Sequence, residues 1–371
     1  MKLTFCAPCV FGLEGICANE FRFSGFENVR TENGRVLFDG DFSAMARANI
    51  NSRYAERIQI LLAEFYADSF EKLFDGAASV NWADFIGMSD AFPVKGSSLN
   101  SRLRSVPDCQ KIIKKAVVKS LSERYMLPWF EETGPARQIQ FLIMNDRVSL
   151  LLDTSGAGLH KRGYRAQSNA APIKETLAAA MAELAGVRAN HFVTDPMCGS
   201  GTILIEAAMK ALKIAPGLNR SFAAERWSCV PDGVFERERE RARAVINTEA
   251  AFRAEGYDID EEALATARNN AEKAGVGDRI TFAKRDIRDF VLPEGYCTVI
   301  TNPPYGERLL DVRAAEELYA VMGERFKREQ GKRYTVITPD DDFEKIFGRK
   351  ADKRRKTYNG TLICRIYQFI K

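Results

Sequence analysis

The pattern of apolar and polar positions divides this chain of 371 residues into two parts. In residues 1–155, short apolar runs alternate irregularly with helical patterns, whereas from residue 171 apolar strands alternate regularly with amphipathic helices. Regular alternation of this kind is typical of a mostly parallel sheet with helices on both faces. We therefore predict an α/β protein with a C-terminal Rossmann-like sheet and an N-terminal α+β half.

Residues 1–65 are predicted to form a small ferredoxin-like domain. The pattern predicts a strand at 3–9, a helix at 13–23, strands at 29–31 and 35–38, and a helix from Asp41 or Ser43 to Tyr54. Asn33-Gly34 between the two short strands is a hairpin signal, and Asp41 or Ser43 is a suitable helix N-cap. The predicted order, β-α-β-β-α, suggests the ferredoxin-like unit.

Residues 66–155 are predicted to form a second domain. The pattern predicts a helix near 70–74, a strand at 92–95, a basic turn at 96–104, a helix at 109–125 capped by Asp108, and strands at 137–144 and 147–152. The long helix carries Lys111 and Lys115 beside the basic turn, which makes this region a candidate surface for an RNA backbone. The same charges also fit an ordinary solvated helix face.

Residues 156–170 are predicted to be a basic linker between the two halves. Cations surround an aromatic residue here: His160, Lys161, Arg162 and Arg165 lie close in sequence to Tyr164. Cations interleaved with an aromatic ring suit phosphates and a stacked base. We therefore expect these residues to contact RNA.

Residues 171–371 carry the α/β pattern. The pattern predicts helices at 172–184, 203–212, 261–274 and 314–330, and strands at 191–194, 252–257, 280–283, 298–301, 334–338 and 360–369. An insertion at 213–250 contains a very charged helix at 235–244, which we interpret as a solvated face. In parallel sheets of this type, ligands bind at the carboxyl ends of the strands.

Composition excludes several other classes of protein. No apolar run approaches the length of a membrane span, and eight scattered cysteines with no signal peptide fit a reducing cytoplasm. With only two histidines, no zinc constellation can be written, so no metal is expected. Cys6 and Cys9 have redox-motif spacing but are interpreted as strand-end cysteines. The net charge of +4 does not by itself imply a nucleic-acid partner.

A glycine-rich loop follows the first C-terminal strand and indicates a cofactor site. Its residues are Asp195, Pro196, Met197, Cys198, Gly199, Ser200, Gly201 and Thr202. Gly199 and Gly201 allow the backbone to approach a ligand closely, and the following helix offers free N–H groups. No third glycine completes a dinucleotide fingerprint, and no Gly-Lys-Ser/Thr completes a P-loop.

Acidic residues end the next two strands. Asp258 can accept from both hydroxyls of a ribose, and Ile259 can cover one face of an adenine. Asp286, followed by Ile287, can accept from the adenine amine. Asp195 stands where a carboxylate could orient the amine of a methionine. Together these residues predict S-adenosylmethionine as the cofactor.

The turn after strand 298–301 is the candidate catalytic element. Asn302, Pro303, Pro304 and Tyr305 are followed by Gly306, and the two proline rings hold the main chain rigid. The Asn302 side-chain oxygen and the Pro303 carbonyl can accept both hydrogens of an aromatic amine, while Tyr305 stacks on its ring. Methyl transfer to such an amine needs positioning more than a general base, and the base must be unpaired or flipped out.

These motifs resemble those of class I methyltransferases that modify exocyclic amines. The resemblance is closer to THUMP-domain RNA methylases, in particular the bacterial group that methylates guanine N2 in 23S ribosomal RNA. It rests on residues 11–14, 159–165, 171–178, 195–207, 301–309 and 347–356. It implies a ferredoxin-like plus THUMP RNA-binding half, a class I methyltransferase half, and 23S ribosomal RNA or a large-subunit precursor as the partner. It also implies the site roles given above.

Three functions remain open from the sequence. The first is guanine-N2 methylation of ribosomal RNA. The second is methylation of adenine N6 or of a protein glutamine, because the Asn-Pro-Pro-Tyr turn can grip any of these planar amines or amides; an RNA-directed N-terminal half argues against glutamine. The third is a non-catalytic RNA-binding assembly factor, against which the intact acidic and Asn-Pro-Pro-Tyr sites argue.

Overall fold

A computed structural model describes residues 1–165, 173–305 and 312–370 of the protein. The strands are β1 (Leu3–Pro8), β2 (Glu27–Glu32), β3 (Arg35–Gly40), β4 (Gln59–Tyr66), β5 (Val94–Leu99), β6 (Ile139–Met144), β7 (Arg147–Asp153), β8 (Phe192–Asp195), β9 (Arg253–Asp258), β10 (Ile280–Lys284), β11 (Cys297–Thr301), β12 (Lys332–Thr338), β13 (Lys353–Asn359) and β14 (Leu362–Phe369). The helices are α1 (Glu14–Phe23), α2 (Phe42–Asn51), α3 (Phe70–Ala78), α4 (Val106–Tyr125), α5 (Glu175–Leu184), α6 (Thr202–Ala211), α7 (Val234–Ala244), α8 (Glu261–Lys273), α9 (Val312–Arg325) and α10 (Phe343–Ile346). The predicted helix start at Pro172, the linker residues 166–170 and the turn residue Gly306 lie outside the described residues.

The N-terminal half is one seven-stranded sheet in the order β2-β3-β1-β4-β7-β6-β5. Strand β4 completes the ferredoxin-like order and pairs with both β1 and β7, so it joins the two predicted domains into a single sheet. The sequence analysis did not predict β4. A register shift between Leu61 and Ala63 breaks its alternation of buried and exposed positions, which is the signal that predicts a strand.

Three local predictions in the N-terminal half can be compared directly. Asp41 caps α2 as expected, since its Oδ1 accepts from the Ala44 N–H at 2.9 Å. The predicted cap of α4 is wrong: the Ser105 hydroxyl oxygen accepts from the Asp108 N–H, and the helix begins three residues earlier than predicted. The predicted basic turn at 96–104 is also wrong in its first part, because β5 continues to Leu99 in parallel pairing with β6.

The C-terminal half is a second seven-stranded sheet in the order β10-β9-β8-β11-β12-β14-β13. Its first five strands are parallel, and β14 and β13 are antiparallel. The chain order reverses between β8 and β11, and that reversal is where a ligand site is expected. The α/β class, with a Rossmann-like C-terminal sheet and an α+β N-terminal half, is therefore confirmed. Strand β13 was missed because its four consecutive basic residues carry no apolar alternation.

One hydrophobic core contains buried residues of both halves, among them Phe5, Phe141 and Leu204. The very charged helix α7 lies at the contact between the halves and packs against α2. Its Glu238 is buried and bonds to Arg47 of α2 at 3.1 Å. The interpretation of this helix as a solvated face is therefore wrong for one side, because the buried charge is paired across the contact.

The described parts of the chain contain no helix that is both long and apolar enough to span a bilayer. Within the same ranges, no three His, Cys, Asp or Glu side chains lie close enough together to hold a metal ion. All eight cysteines lie in described positions and are free thiols.

Candidate active site

The predicted cofactor and catalytic loops meet at one edge of the C-terminal sheet. Strands β8 and β11 are adjacent, with Val193 opposite Thr298 and Thr194 opposite Val299. The loops that follow these strands begin at Asp195 and Asn302, which are far apart in sequence. Because parallel strands end at the same edge, the pairing places both loops side by side.

The glycine-rich loop is held by the neighbouring strand β9. The Gly199 N–H donates to Asp258 Oδ2 at 2.8 Å, and the Cys198 N–H donates to the Tyr257 carbonyl at 2.8 Å. Gly199 and Gly201 have φ values of +50° and +77°. A Cβ atom on Gly201 would also lie 3.1 Å from the side chains of Ala267 and Phe282, so this position needs glycine on both counts.

Asn270 of α8 is a supporting residue that the sequence analysis missed. Its side chain is buried, and Nδ2 donates to the Ser200 carbonyl at 3.1 Å. It lies in the buried stripe of α8 with Leu264, Ala267 and Ala271. A polar residue in a buried stripe needs a hydrogen-bond partner. The position of an asparagine in this stripe was therefore the sequence signal that could have identified Asn270.

Asp195 is a buried carboxylate at the centre of the site. It is 1% exposed, and its Oδ1 accepts from the Met197 N–H at 3.1 Å. Burial raises the pKa of Asp195 to about 7, and the charge of Asp258 adds to this effect. No cation among the described residues pairs with it, and a buried carboxylate of this kind is a suitable partner for a ligand ammonium group.

The residues proposed for the ribose and adenine occupy different environments. Asp258 Oδ1 accepts from the Asp260 N–H at 3.0 Å, so this carboxylate is already oriented by the backbone. The Ile259 side chain is 63% exposed and free to cover a ring. Ile287 is buried in the core, so only its backbone could contact a ligand.

Asp286 begins a short turn after β10. Its Oδ1 accepts from the Arg288 N–H at 2.8 Å, and its Oδ2 pairs with the Arg288 guanidinium at 3.0 Å. The carboxylate therefore lies two residues beyond Lys284, the last residue of β10. An adenine amine would share it with Arg288.

Asn302 places a buried side-chain acceptor at the start of the Asn302–Tyr305 turn. Asn302 Oδ1 is buried and has no hydrogen-bond partner among the described residues, although buried acceptors are normally paired. Pro303 is buried, and Pro304 and Tyr305 are partly buried. An acceptor held in this way, on a rigid backbone, is prepared for a donor that a ligand brings.

Tyr305 is fixed by the last hairpin of the sheet. Its hydroxyl oxygen accepts from Asn359 Nδ2 at 2.7 Å, and the Cys364 thiol lies 3.9 Å away. Burial raises the pKa of Tyr305, so the phenol stays neutral. Asn359 was not singled out by the sequence analysis, because nothing local to residue 359 indicates that it reaches Tyr305.

The prediction that Arg162 and Tyr164 contact RNA is wrong. They are 4% and 3% exposed. Arg162 donates to the Leu159 carbonyl at 2.8 Å and pairs with Glu206 of α6, and Tyr164 donates to the same carboxylate at 3.0 Å. Both side chains are parts of a buried network and cannot reach a nucleic acid.

His160 and Arg165 also have internal partners. His160 Nδ1 lies 3.2 Å from Glu56 Oε2, and Arg165 pairs with Glu175 at 3.1 Å while its side chain is largely buried. Both side chains already have carboxylate partners inside the protein, and their contact with RNA stays a prediction. The segment from Arg162 to Arg165 thus connects the halves of the protein more than it presents charge to solvent.

The three predicted lysines are in positions that RNA could reach. Lys161, Lys111 and Lys115 are all exposed. Lys111 lies 3.6 Å from Asp108, at the beginning of α4. Exposure alone does not distinguish an RNA contact from an ordinary surface lysine, so their role stays a prediction.

The site residues fit an adenosyl sulfonium cofactor. Asp195 is a buried carboxylate with no ion-pair partner among the residues described, which suits an ammonium group. Gly199 has open space around it, which suits a closely approaching ligand, and the exposed Ile259 side chain suits a flat ring. This sheet order and this site define a class I methyltransferase.

The chain belongs to the RMKL-like methyltransferase family. Residues 162–368 match its methyltransferase domain, residues 4–59 match the RlmL ferredoxin-like domain, and residues 67–153 match the THUMP domain. The resemblance stated from the sequence, with its ferredoxin-like and THUMP domains, is therefore confirmed.

Relatives share the whole length of the chain. YpsC of Bacillus subtilis (strain 168), which carries the name of a candidate RNA methyltransferase, is 40% identical over 99% of this chain and 96% of its own length. The ribosomal RNA large subunit methyltransferase K/L of Cellvibrio japonicus (strain Ueda107) is 33% identical over 98% of this chain, which spans 50% of that protein. The crystal structure of the candidate methyltransferase SMU.472, complexed with S-adenosylhomocysteine, has a TM-score of 0.93 with 39% identity, covering 99% of this chain and 98% of that one.

Proposed function

We propose that this protein transfers the methyl group of S-adenosylmethionine to the exocyclic N2 amine of a guanine in 23S ribosomal RNA. The observation that carries the proposal is the buried Oδ1 of Asn302, which has no hydrogen-bond partner in the described part of the chain and is held on a proline-stiffened turn beside the cofactor loop. The THUMP domain match and the names of the two relatives support RNA as the substrate.

The cofactor prediction is confirmed by the methyltransferase family match and by the relative solved with S-adenosylhomocysteine, the product of methyl donation. The cofactor supplies an electrophilic methyl group on a sulfonium. We propose that Asp195 holds its ammonium group, that Asp258 accepts from its ribose hydroxyls, and that Ile259 and Asp286 contact its adenine.

The amine of a nucleobase is a poor nucleophile because its lone pair is delocalised into the ring. Asn302 Oδ1 and the Pro303 carbonyl would accept its two hydrogens, which favours a pyramidal nitrogen. Tyr305, with its hydroxyl fixed by Asn359 at 2.7 Å, would hold the ring flat. Preorganised acceptors of this kind act by positioning the nitrogen more than by removing its proton, which the nitrogen releases once it carries the methyl group.

A pocket built on this turn acts only on a base that has left its stack. The protein therefore needs a grip on the surrounding RNA, which we assign to the N-terminal half. We propose the division into a ferredoxin-like domain (1–65), a THUMP domain (66–155), a linker (156–170) and a methyltransferase domain (171–371). Because β4 belongs to both N-terminal units and α7 packs on α2, we expect these parts to bind as one body.

The test is transfer of labelled methyl from S-adenosylmethionine to ribosomal RNA from cells that lack this protein, followed by digestion to nucleosides. Label in N2-methylguanosine is the expected result. Label in N6-methyladenosine would keep the mechanism and overturn the base, and label only in protein would overturn the RNA substrate.

Asn302→Ala is expected to lower turnover about a hundredfold or more, by removing an acceptor that acts on the reacting amine. Cofactor affinity should stay within a few-fold of wild type, which equilibrium dialysis can measure. Asn269→Ala is the matched control, because Asn269 is an exposed asparagine of the same domain. Unchanged turnover in Asn302→Ala would refute the role given to this residue.

A further inference from the structure

The hairpin formed by β13 and β14 projects past the edge of the sheet that carries the site. Thr338, the last residue of β12, pairs with Arg365 of β14. Strand β14 begins three residues earlier, at Leu362, so the hairpin extends about 10 Å beyond β12 at a strand rise of about 3.3 Å per residue. The hairpin therefore forms a wall beside the loops at the carboxyl ends of the parallel strands.

This wall is continuous with the candidate catalytic turn. Asn359, the last residue of β13, donates to the Tyr305 hydroxyl at 2.7 Å. Side chains alternate along a strand, so Asn359 and Tyr358 lie on opposite faces of the hairpin, and RNA bound on the Tyr358 face would pass around the hairpin tip to reach Tyr305. A loop of the N-terminal half also reaches the wall: the Phe11 ring packs edge-on against Tyr358, with 5.9 Å between the ring centroids.

The tip of the wall carries exposed apolar side chains next to its polar turn, Gly360-Thr361. Phe11, Leu362 and Ile363 are 45%, 49% and 48% exposed, and Ile363 pairs directly with Tyr358 across the hairpin. Apolar and aromatic side chains clustered beside a base pocket offer flat surfaces for neighbouring bases, and such stacking tolerates any sequence.

The same strand carries a run of positive charge. Residues 353–356 are Lys-Arg-Arg-Lys, and all four are exposed. Arg354 and Lys356 lie on the same face as Tyr358, because side chains alternate along a strand. Arg354 pairs with Glu344 at 2.7 Å, while Lys356 has no ion-pair partner in the described parts of the chain. Lysines on an edge strand also prevent strand pairing, but that role does not explain the apolar tip beside them.

We propose that this surface, which we call the flank surface (Phe11, Arg354, Lys356, Tyr358 and Ile363), binds the single-stranded RNA that adjoins the target nucleotide. Arg354 and Lys356 would contact its phosphates, and the tip would stack on its bases. The proposal rests on the proposed function, since the flank surface would supply the RNA binding that an extruded base requires.

The electrostatic part is tested with the double variant Arg354→Gln/Lys356→Gln of the full chain. The assay measures methyl transfer to ribosomal RNA from cells lacking the protein at several salt concentrations. Each single-strand phosphate contact releases about 0.7 counterion, so the KM for RNA at 0.1 M salt should rise about 5-fold for one contact and about 25-fold for two. The salt dependence should flatten, and kcat and cofactor affinity should stay within about twofold.

The apolar part is tested with Ile363→Ser, which should raise the KM for RNA without changing its salt dependence. The control for the double variant is Arg243→Gln/Lys273→Gln, which changes an exposed ion-paired arginine and an exposed lysine on other elements. The control for Ile363→Ser is Val245→Ser, which changes an exposed apolar residue at the end of α7. Thermal unfolding of every variant verifies folding.

A KM for RNA that stays within twofold of wild type in both hairpin variants overturns the flank surface, and the proposed function then still stands on the wild-type reaction. Equal rises in the hairpin variants and in their controls overturn it as well. A wild-type protein that transfers no methyl to RNA overturns both proposals.

Discussion

Cofactor affinity should depend on pH through Asp195. Burial raises the pKa of this carboxyl to about 7, and among the described residues Asp195 has no cation to offset the burial. If its carboxylate holds the ammonium group of the cofactor, binding requires the deprotonated form. Binding should therefore strengthen as pH rises through 7 and release a proton below it.

The magnitude follows from the pKa. With a pKa of about 7, about 9% of Asp195 is ionised at pH 6 and about 91% at pH 8. Cofactor affinity should therefore be about tenfold weaker at pH 6 than at pH 8, which corresponds to about 1.4 kcal/mol.

The assay is isothermal titration with S-adenosylhomocysteine at pH 6, 7 and 8, in buffers of different ionisation enthalpy, so that proton release is counted directly. Asp195→Asn is the control: it keeps an acceptor for the Met197 N–H but cannot titrate. This variant should bind more weakly at pH 8 and lose the pH dependence. Wild-type affinity that is flat from pH 6 to 8, or an equal pH dependence in Asp195→Asn, would refute the reasoning.

The free energy of unfolding should change with pH in the opposite direction to cofactor affinity. A carboxyl with a raised pKa contributes stability that is fully present below its ordinary pKa and is lost as pH rises through 7. Glu20, at the contact between the halves, also has its pKa raised to about 7 by burial, so it adds to the loss of stability in the same range. For this reason the comparison with Asp195→Asn, and not the wild-type profile alone, isolates the site.

Two further predictions concern the contact between the halves. Arg162→Ala should lower the free energy of unfolding by about 3–5 kcal/mol, because it removes the ion-pair partner of the buried Glu206 carboxylate. Lys161→Ala, at the neighbouring exposed position, should change it by less than about 0.5 kcal/mol. Urea unfolding measures both values, and equal effects would contradict the buried role of Arg162. Gly12→Ala should lower the free energy of unfolding by at least about 1 kcal/mol more than Gly25→Ala. Both glycines have positive φ, but only at Gly12 would a Cβ lie 2.1 Å from the Lys356 carbonyl oxygen. Similar losses of Tm in the two variants would show that the loop containing Gly12 does not pack on β13.

The sequence alone determined the parts of the site that depend on local conformation. The Asp195–Thr202 loop and the Asn302–Tyr305 turn each follow a short apolar strand, and their glycines and prolines restrict the backbone whatever the rest of the chain does. Regular strand–helix alternation then places both at one edge of a parallel sheet, because each helix returns the chain to the edge where the strands begin.

Only the tertiary structure decided which polar residues face solvent. In the sequence, Arg162 and Tyr164 resemble an RNA contact. In the structure both bond to Glu206, more than forty residues away in the chain, and this bonding offsets the free-energy cost of burying them. Asn359 likewise bonds to Tyr305, a residue more than fifty positions away in the sequence. A charge or an amide has the same local sequence signature whether it is hydrated or buried, and its burial depends on a partner that only folding brings within hydrogen-bond distance.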